Sequence, residues 1–176
     1  MGLASLFRRK PFERTGFLLY GRAVAAAREP APFAEWGVPD TPAGRFEMVC
    51  LHAALLIRRL RAERTAEGDA LAQAAFDAMF SDMDLNLREM GIGDLSVGKK
   101  VRNLWEGFHG RAEAYGAALE AGDAAALAGA LARNVWAGGA PPPGGAEALA
   151  ARALAAAQAL AGQGLEQFKA GEARFA

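Results

Sequence analysis

The chain has 176 residues, of which 52% are hydrophobic and only one is a cysteine. This composition fits a single domain with its own core and excludes a disulfide-stabilised secreted class. The 20 basic and 20 acidic residues cancel, which excludes the strongly basic character of a DNA-binding protein. Ala and Leu dominate the apolar residues, so we predict an all-α protein. The single cysteine cannot form an internal disulfide, so we expect a cytoplasmic setting.

Residues 1–11 are expected to form a separate N-terminal segment, in which Leu3, Leu6 and Phe7 precede three cations. A short apolar run followed by cations is not a signal peptide, and no later window is apolar enough to predict a membrane-spanning helix. The segment is either a frayed terminus or a weak contact with a membrane surface.

Charge is unevenly distributed along the chain. Residues 1–64 contain 11 Lys and Arg against 6 Asp and Glu, whereas the remaining residues contain 9 against 14. Such asymmetry is compatible with contact with an anionic membrane surface or with the ribosome, although a solvated helix face explains it more often.

The predicted helical core, residues 12–136, begins with a helix over residues 12–28 that ends where Pro30 and Pro32 exclude helix. Residues 29–44 are predicted to be a long irregular loop rich in proline and aromatic residues. The aromatic rings, Trp36 among them, pack either on the domain's own core or on a partner.

The second predicted helix, residues 41–67, is capped by Asp40 or Thr41 and is apolar nearly all round, which favours a central position. The third helix, residues 69–90, carries a stripe of apolar residues that predicts core. Its members, spaced by three or four residues, are Phe76, Phe80, Met83, Leu87 and Met90.

Gly91 and Gly93 predict the end of the third helix, and Asp94 or Ser96 is expected to cap the fourth, which runs to residue 120. Apolar residues at helical spacing, including Trp105 and Phe108, define its buried face. A fifth helix is predicted over residues 123–136.

The Gly- and Pro-rich residues 137–145 predict a linker, and residues 146–176 an Ala-rich C-terminal helix that buries little surface and packs loosely. The whole chain is therefore predicted to be a single-domain bundle of about six helices.

Two motifs suggest bound ligands, and both fail. Residues 93–100 (GDLSVGKK) have the glycine and lysine spacing of a phosphate-binding loop, but Lys100 replaces the Ser or Thr that binds magnesium, and a helix precedes the segment where a strand is needed. Asp82, Asp84 and Asn86 have the spacing that begins a calcium loop, but Leu87 replaces the required glycine. With neither His52 nor His109 in a catalytic pattern, we predict no enzyme, no cofactor and no metal site.

Two segments together carry a resemblance to a known family: residues 37–48 (GVPDTPAGRFEM) and residues 82–102 (DMDLNLREMGIGDLSVGKKVR). They resemble the ubiquinol-cytochrome c chaperone family, in a bacterial form, over residues 17–119. The resemblance implies a helical, non-enzymatic factor for assembly of the cytochrome bc1 complex that binds newly made cytochrome b. It also implies the ribosome or a small helper protein as further partners, and a helical adaptor for another membrane complex or the ribosome remains the alternative.

The resemblance implies surfaces rather than a catalytic site. Polar contacts fix the register of a docked partner while neighbouring Met and aromatic side chains supply apolar contact. An internal network of ion pairs between helices explains the same residues equally well. The candidates for client or partner contact are Trp36, Asp40, Arg45, Asp82, Asp84, Asn86, Arg88, Asp94, Lys99, Lys100 and Arg102. The expected location is cytoplasmic, with the inner face of the plasma membrane as a peripheral alternative.

Overall fold

The computed structural model describes residues 11–137 and 139–175, apart from the side chains of Asp94 and Leu95. Over these residues the chain is helical without strands, which confirms the predicted all-α single domain. The first ten residues of the predicted N-terminal segment lie outside the described residues. The helices are α1 (Glu13–Ala27), α2 (Ala31–Ala34), α3 (Pro42–Arg61), α4 (Ala66–Glu89), α5 (Asp94–Ala121), α6 (Ala124–Val135), α7 (Gly145–Ala161) and α8 (Leu165–Lys169).

The predicted irregular loop contains the short helix α2, so the expectation that its prolines exclude helix is wrong there. Pro30 is the residue before the helix and Pro32 lies in its first turn, where a backbone N–H needs no intrahelical partner and proline is tolerated. Phe33 and Trp36 are partly buried against the core, and Val38 is fully buried. The loop therefore packs on its own domain.

Helix α3 is central, as its apolar character predicts. It packs against α1, α4, α5, α6 and α7, and Leu51, Leu56 and Leu60 on it are almost completely buried. At its start the Thr41 hydroxyl accepts a hydrogen bond from the backbone N–H of Gly44 at 3.1 Å, which confirms Thr41 as the cap.

The end of α3 differs from the prediction, which continued the helix to residue 67. Helix α3 stops at Arg61, Arg64 adopts a left-handed conformation with φ of 53°, and the Thr65 hydroxyl caps α4 by accepting from Gly68 N at 3.1 Å. Helices α1 and α4 approach closely at Gly16, where an added Cβ would lie 2.4 Å from the carbonyl oxygen of Ala74.

The C-terminal residues do not pack loosely as predicted. They form two helices, and Leu160 on α7 and Phe168 on α8 are fully buried. The Arg59 side chain on α3 donates to the Leu160 carbonyl at 3.0 Å and to the Gln163 carbonyl at 2.6 Å. Because alanines bury well where helices approach closely, the Ala-rich face of α7 forms part of the core.

His52 is a structural residue of this core. It is buried on α3, where Nδ1 donates to the Met48 carbonyl at 2.8 Å, and its ring packs on Phe175 with centroids 5.4 Å apart. Burial disfavours the charged imidazolium and lowers the pKa of His52 to about 4.

Candidate client-binding surface

The family-like residues 82–102 comprise the end of α4, the turn that follows it and the start of α5. Together with the next residues to Trp105, we call this region the α4–α5 corner. Gly91 has φ of +80°, a conformation that glycine adopts without the steric penalty of a Cβ. The Ile92 N–H donates to the Leu87 carbonyl at 3.1 Å. Gly93 precedes α5 as its cap residue, so the prediction that Asp94 or Ser96 caps this helix is wrong.

The aromatic residues behind the corner show that α4 and α5 run antiparallel. Phe80 contacts Phe108 with ring centroids 6.3 Å apart, and Phe76 contacts His109 at 5.6 Å. These pairs lie at nearly equal distances in sequence on either side of the turn, as in a helical hairpin.

The tip of this hairpin extends past the first residue of α3. Arg111 on α5 binds Glu47 on α3, and Arg58 further along α3 lies 4.0 Å from Glu120 further along α5, so these two helices run in the same direction. From Arg111 back to residue 94, α5 spans about 25 Å, whereas α3 spans only about 7 Å from Glu47 back to its first residue. The tip of the α4–α5 corner therefore lies past the start of α3.

Large apolar side chains are exposed on this corner. Leu85 is 54% exposed, Met90 is 70% exposed and Trp105 is 45% exposed, which corrects the prediction that Met90 and Trp105 belong to the core. The Trp105 ring lies over His109 with centroids 4.0 Å apart. Large apolar side chains exposed on one helical hairpin are candidates for contact with another molecule.

The candidate residues on α4 bind other groups of the same molecule. Asp82 accepts a hydrogen bond from the Tyr20 hydroxyl on α1 at 2.7 Å, and Asn86 donates to the Asp82 carbonyl at 2.7 Å. Asp84 pairs with Arg88 one turn away at 2.6 Å. Burial of Tyr20, followed by its bond to Asp82, raises the pKa of the Tyr20 hydroxyl, so the proton stays on tyrosine.

The cations on α5 behave differently. Lys99, Lys100 and Arg102 are exposed, and none of them forms an ion pair with another described side chain. The side chain of the remaining candidate on this helix, Asp94, lies outside the described residues. The corner thus combines exposed apolar groups with exposed cations.

The other family-like segment forms a separate small surface at the start of α3. Arg45 donates to Asp40 at 2.6 Å, and this hydrogen bond lowers the pKa of the exposed Asp40 carboxyl. Trp36, partly buried, precedes Gly37, whose carbonyl accepts from the Trp136 indole at 2.7 Å. No hydrogen bond or ion pair in the described parts of the chain joins Asp40 or Arg45 to the α4–α5 corner.

An ion pair that the sequence did not predict joins α3 to α5. Glu47 is 7% exposed and accepts two hydrogen bonds from Arg111, at 2.6 and 2.5 Å. The bidentate pair holds α3 against α5 and raises the pKa of Arg111. The sequence feature that indicates this pair is the Glu47 carboxylate inside a nearly all-apolar helix, because a buried carboxylate needs a partner.

Within residues 11–137 and 139–175, no helix is long and apolar enough to cross a membrane, and no cluster of acidic, His and Cys residues suited to a metal ion is found.

Comparison with known proteins extends beyond the two segments. The model of the ubiquinol-cytochrome c chaperone family matches residues 34–175, which corrects the expectation that the resemblance ends near residue 119. The crystal structure of the Cbp3 homolog from Brucella abortus is similar with a TM-score of 0.82 and 40% identity, covering 99% of this chain and 97% of that one. No curated protein gives a significant match.

Proposed function

Because the chain belongs to the ubiquinol-cytochrome c chaperone family, we propose that it is a non-enzymatic assembly chaperone of the ubiquinol-cytochrome c reductase (bc1) complex and that its client is cytochrome b. The observation that carries the proposal is the α4–α5 corner, which lies in a family-like segment and exposes Leu85, Met90 and Trp105. The proposed location is the cytoplasmic side of the membrane that receives the client.

The corner suits an apolar client for physical reasons. A membrane protein that is not yet inserted exposes apolar helices to water, and covering part of that surface is favourable by roughly 25 cal/mol per Å² of apolar area. Met90 is unbranched and adapts to differently shaped partners, while Trp105 offers a large flat contact. No nucleotide is needed for such binding, because release follows when the client buries the same surface in the membrane or in its own complex.

The polar candidates divide into two roles in this proposal. Asp82 holds α4 to α1 through Tyr20, so it positions the corner rather than touching the client. Lys99, Lys100 and Arg102 have no ion pair with a described side chain, and they would contact the polar flanks of client helices, where carboxylates and helix C-termini carry negative charge.

The experiment that tests the function is deletion of the gene followed by complementation. We expect the deletion strain to lose assembled bc1 complex and spectroscopically detectable cytochrome b, and the wild-type gene to restore both. A Trp105→Ala, Met90→Ser variant should accumulate as folded protein without restoring cytochrome b. Normal cytochrome b in the deletion strain would contradict the proposal, and crosslinks to ribosomal proteins in place of cytochrome b would favour a ribosome adaptor.

A further inference from the structure

A groove runs between the C-terminal half of α3, with the turn that follows it, and the C-terminal half of α5. We call it the α3–α5 groove; it has a volume of about 810 Å³. Its apolar lining includes Ile57, Phe76 and Phe108, and small residues, Ala112 and Gly116 among them, line the α5 side. An added Cβ at Gly116 meets no atom within 4 Å, so this wall is open rather than packed. Walls of small residues allow a helix to approach closely.

Charges of both signs border the groove, on opposite sides. Arg58, Arg61 and Arg64 belong to the end of α3 and the following turn, and Glu113 and Glu120 belong to α5. The charges on the two walls are only weakly paired with each other. The Arg58 guanidinium lies 4.0 Å from the Glu120 carboxylate, at the outer limit for an ion pair.

The arginines carry unused hydrogen-bonding capacity. The Nε of Arg58 is buried without a hydrogen-bond partner among the described atoms, whereas the Arg58 side chain as a whole is 39% exposed and can still bind an acceptor through its terminal nitrogens. Arg61 and Arg64 are exposed, and neither forms an ion pair in the described parts of the chain. Guanidinium groups bind carboxylates in a planar, two-bonded geometry.

Arg64 also stands in an unfavourable backbone conformation. Its φ of 53° is in the left-handed region that glycine or asparagine adopts more readily. A residue chosen only for the stability of this turn would be one of those two, whereas arginine places a cation at the rim of the groove.

We propose that the α3–α5 groove binds an amphipathic helical segment of a partner protein, with its apolar face on Phe76 and the small residues of α5 and its carboxylates on Arg58, Arg61 and Arg64. Glu113 and Glu120 on the opposite wall would repel the phosphates of an anionic membrane, and they match basic residues on the other flank of a helix. The paired charges therefore favour a peptide over a lipid surface. The groove adjoins the α4–α5 corner, because Trp105 lies over His109 of the groove lining, but no lining residue belongs to the corner. Its occupant does not rest on cytochrome b being the client.

A synthetic peptide tests this proposal without knowledge of the natural partner. The probe is a fluorescent amphipathic peptide of about 18 residues, long enough for helix formation, with Leu and Ala on one face, Glu along one flank and Lys along the other. A second peptide carries Gln in place of every Glu. Binding to the full-length protein is followed by fluorescence anisotropy at low and high salt.

Matched glycine substitutions on α5 separate binding from folding. Gly116→Leu fills the groove, whereas Gly110→Leu adds the same side chain at an exposed position that does not line it. Each added Cβ has open space and removes a helical glycine, so both variants should unfold at or above the wild-type temperature. We expect Gly116→Leu to abolish peptide binding and Gly110→Leu to preserve it.

The arginine variant tests the charge argument. Arg61→Ala combined with Arg64→Gly should weaken binding of the Glu peptide about tenfold, as expected for two exposed pairs, and should leave the weaker Gln peptide unaffected. Equal binding of both peptides, no binding at all, or full binding by Gly116→Leu would overturn the proposal. So would arginine-dependent flotation with phosphatidylglycerol–phosphatidylcholine vesicles in the absence of peptide binding.

Discussion

The core around α3 and the α4–α5 corner are built from the same residue types at the same helical spacing, but they differ in what covers them. On α3, Leu51, Leu56 and Leu60 face helices on several sides and are buried. At the corner, Leu85, Met90 and Trp105 remain exposed. Apolar periodicity therefore marks faces that can be buried against a neighbour, and within the described chain the corner's apolar side chains stay exposed. Substitutions in the two regions should consequently affect stability and binding in opposite ways.

The largest loss of stability is expected in the core. Leu60→Ala removes a fully buried side chain and leaves a cavity, so the free energy of unfolding should fall by about 2–5 kcal/mol in urea denaturation. The matched variant Leu85→Ala at the corner should change it by less than about 0.5 kcal/mol. Equal losses at the two positions would show that the corner is packed in solution.

Acid should destabilise the protein through His52. The unfolded chain protonates this histidine near pH 6.5, whereas the folded chain does so only near pH 4. The unfolded state therefore binds more protons between these values, and the free energy of unfolding falls as the pH drops through that window, by about 3 kcal/mol in total. The free energy of unfolding, measured by urea denaturation at several pH values, should fall more steeply with decreasing pH for wild type than for His52→Gln. The same pH dependence in both proteins would refute the assignment.

Breaking the Glu47–Arg111 pair should have the next largest effect. Glu47→Gln leaves the Arg111 guanidinium without its carboxylate, which we expect to lower the free energy of unfolding by about 2 kcal/mol, a value discounted for the partial exposure of Arg111. Asp40→Asn removes a similar short contact from an exposed pair and should cause no measurable change. If both variants unfold alike, the buried pair does not hold α3 to α5.

The smallest effect on stability is expected for the corner cations. Lys99→Gln combined with Lys100→Gln removes charges that form no ion pair with a described side chain, so the unfolding temperature should stay within error of wild type. Client binding should weaken instead and lose part of its dependence on salt. A large shift in unfolding temperature with unchanged binding would assign these lysines to the fold.

Local patterns predicted most of the fold. The helical spacing of apolar residues gave the long helices, and Thr41 and the glycines after Met90 marked helix ends correctly. The break after Arg61 was missed because residues 62–65 contain neither Gly nor Pro, and Arg64 adopts its left-handed conformation without a sequence signal.

The surface was harder to predict than the helices. Periodicity shows that Met83 and Met90 share a helix face. It does not show that the first residue of α3 falls short of the level of Met90. The Glu47–Arg111 pair joins residues 64 positions apart, a separation that no local pattern reveals. The family-like residues 82–102 cover the corner, but they do not show that Leu85 and Met90 are exposed there while Asp82 and Asp84 bind groups of the same molecule.

Site-specific photocrosslinking in the native cell tests the central claim most directly. A photoreactive amino acid is placed at Met90 on the corner or, as the control, at Ala155, an exposed residue of α7, and the crosslinked proteins are identified. The proposed function predicts that cytochrome b is captured from position 90 and not from position 155. Capture of cytochrome b equally from both positions, or from position 155 alone, would contradict it.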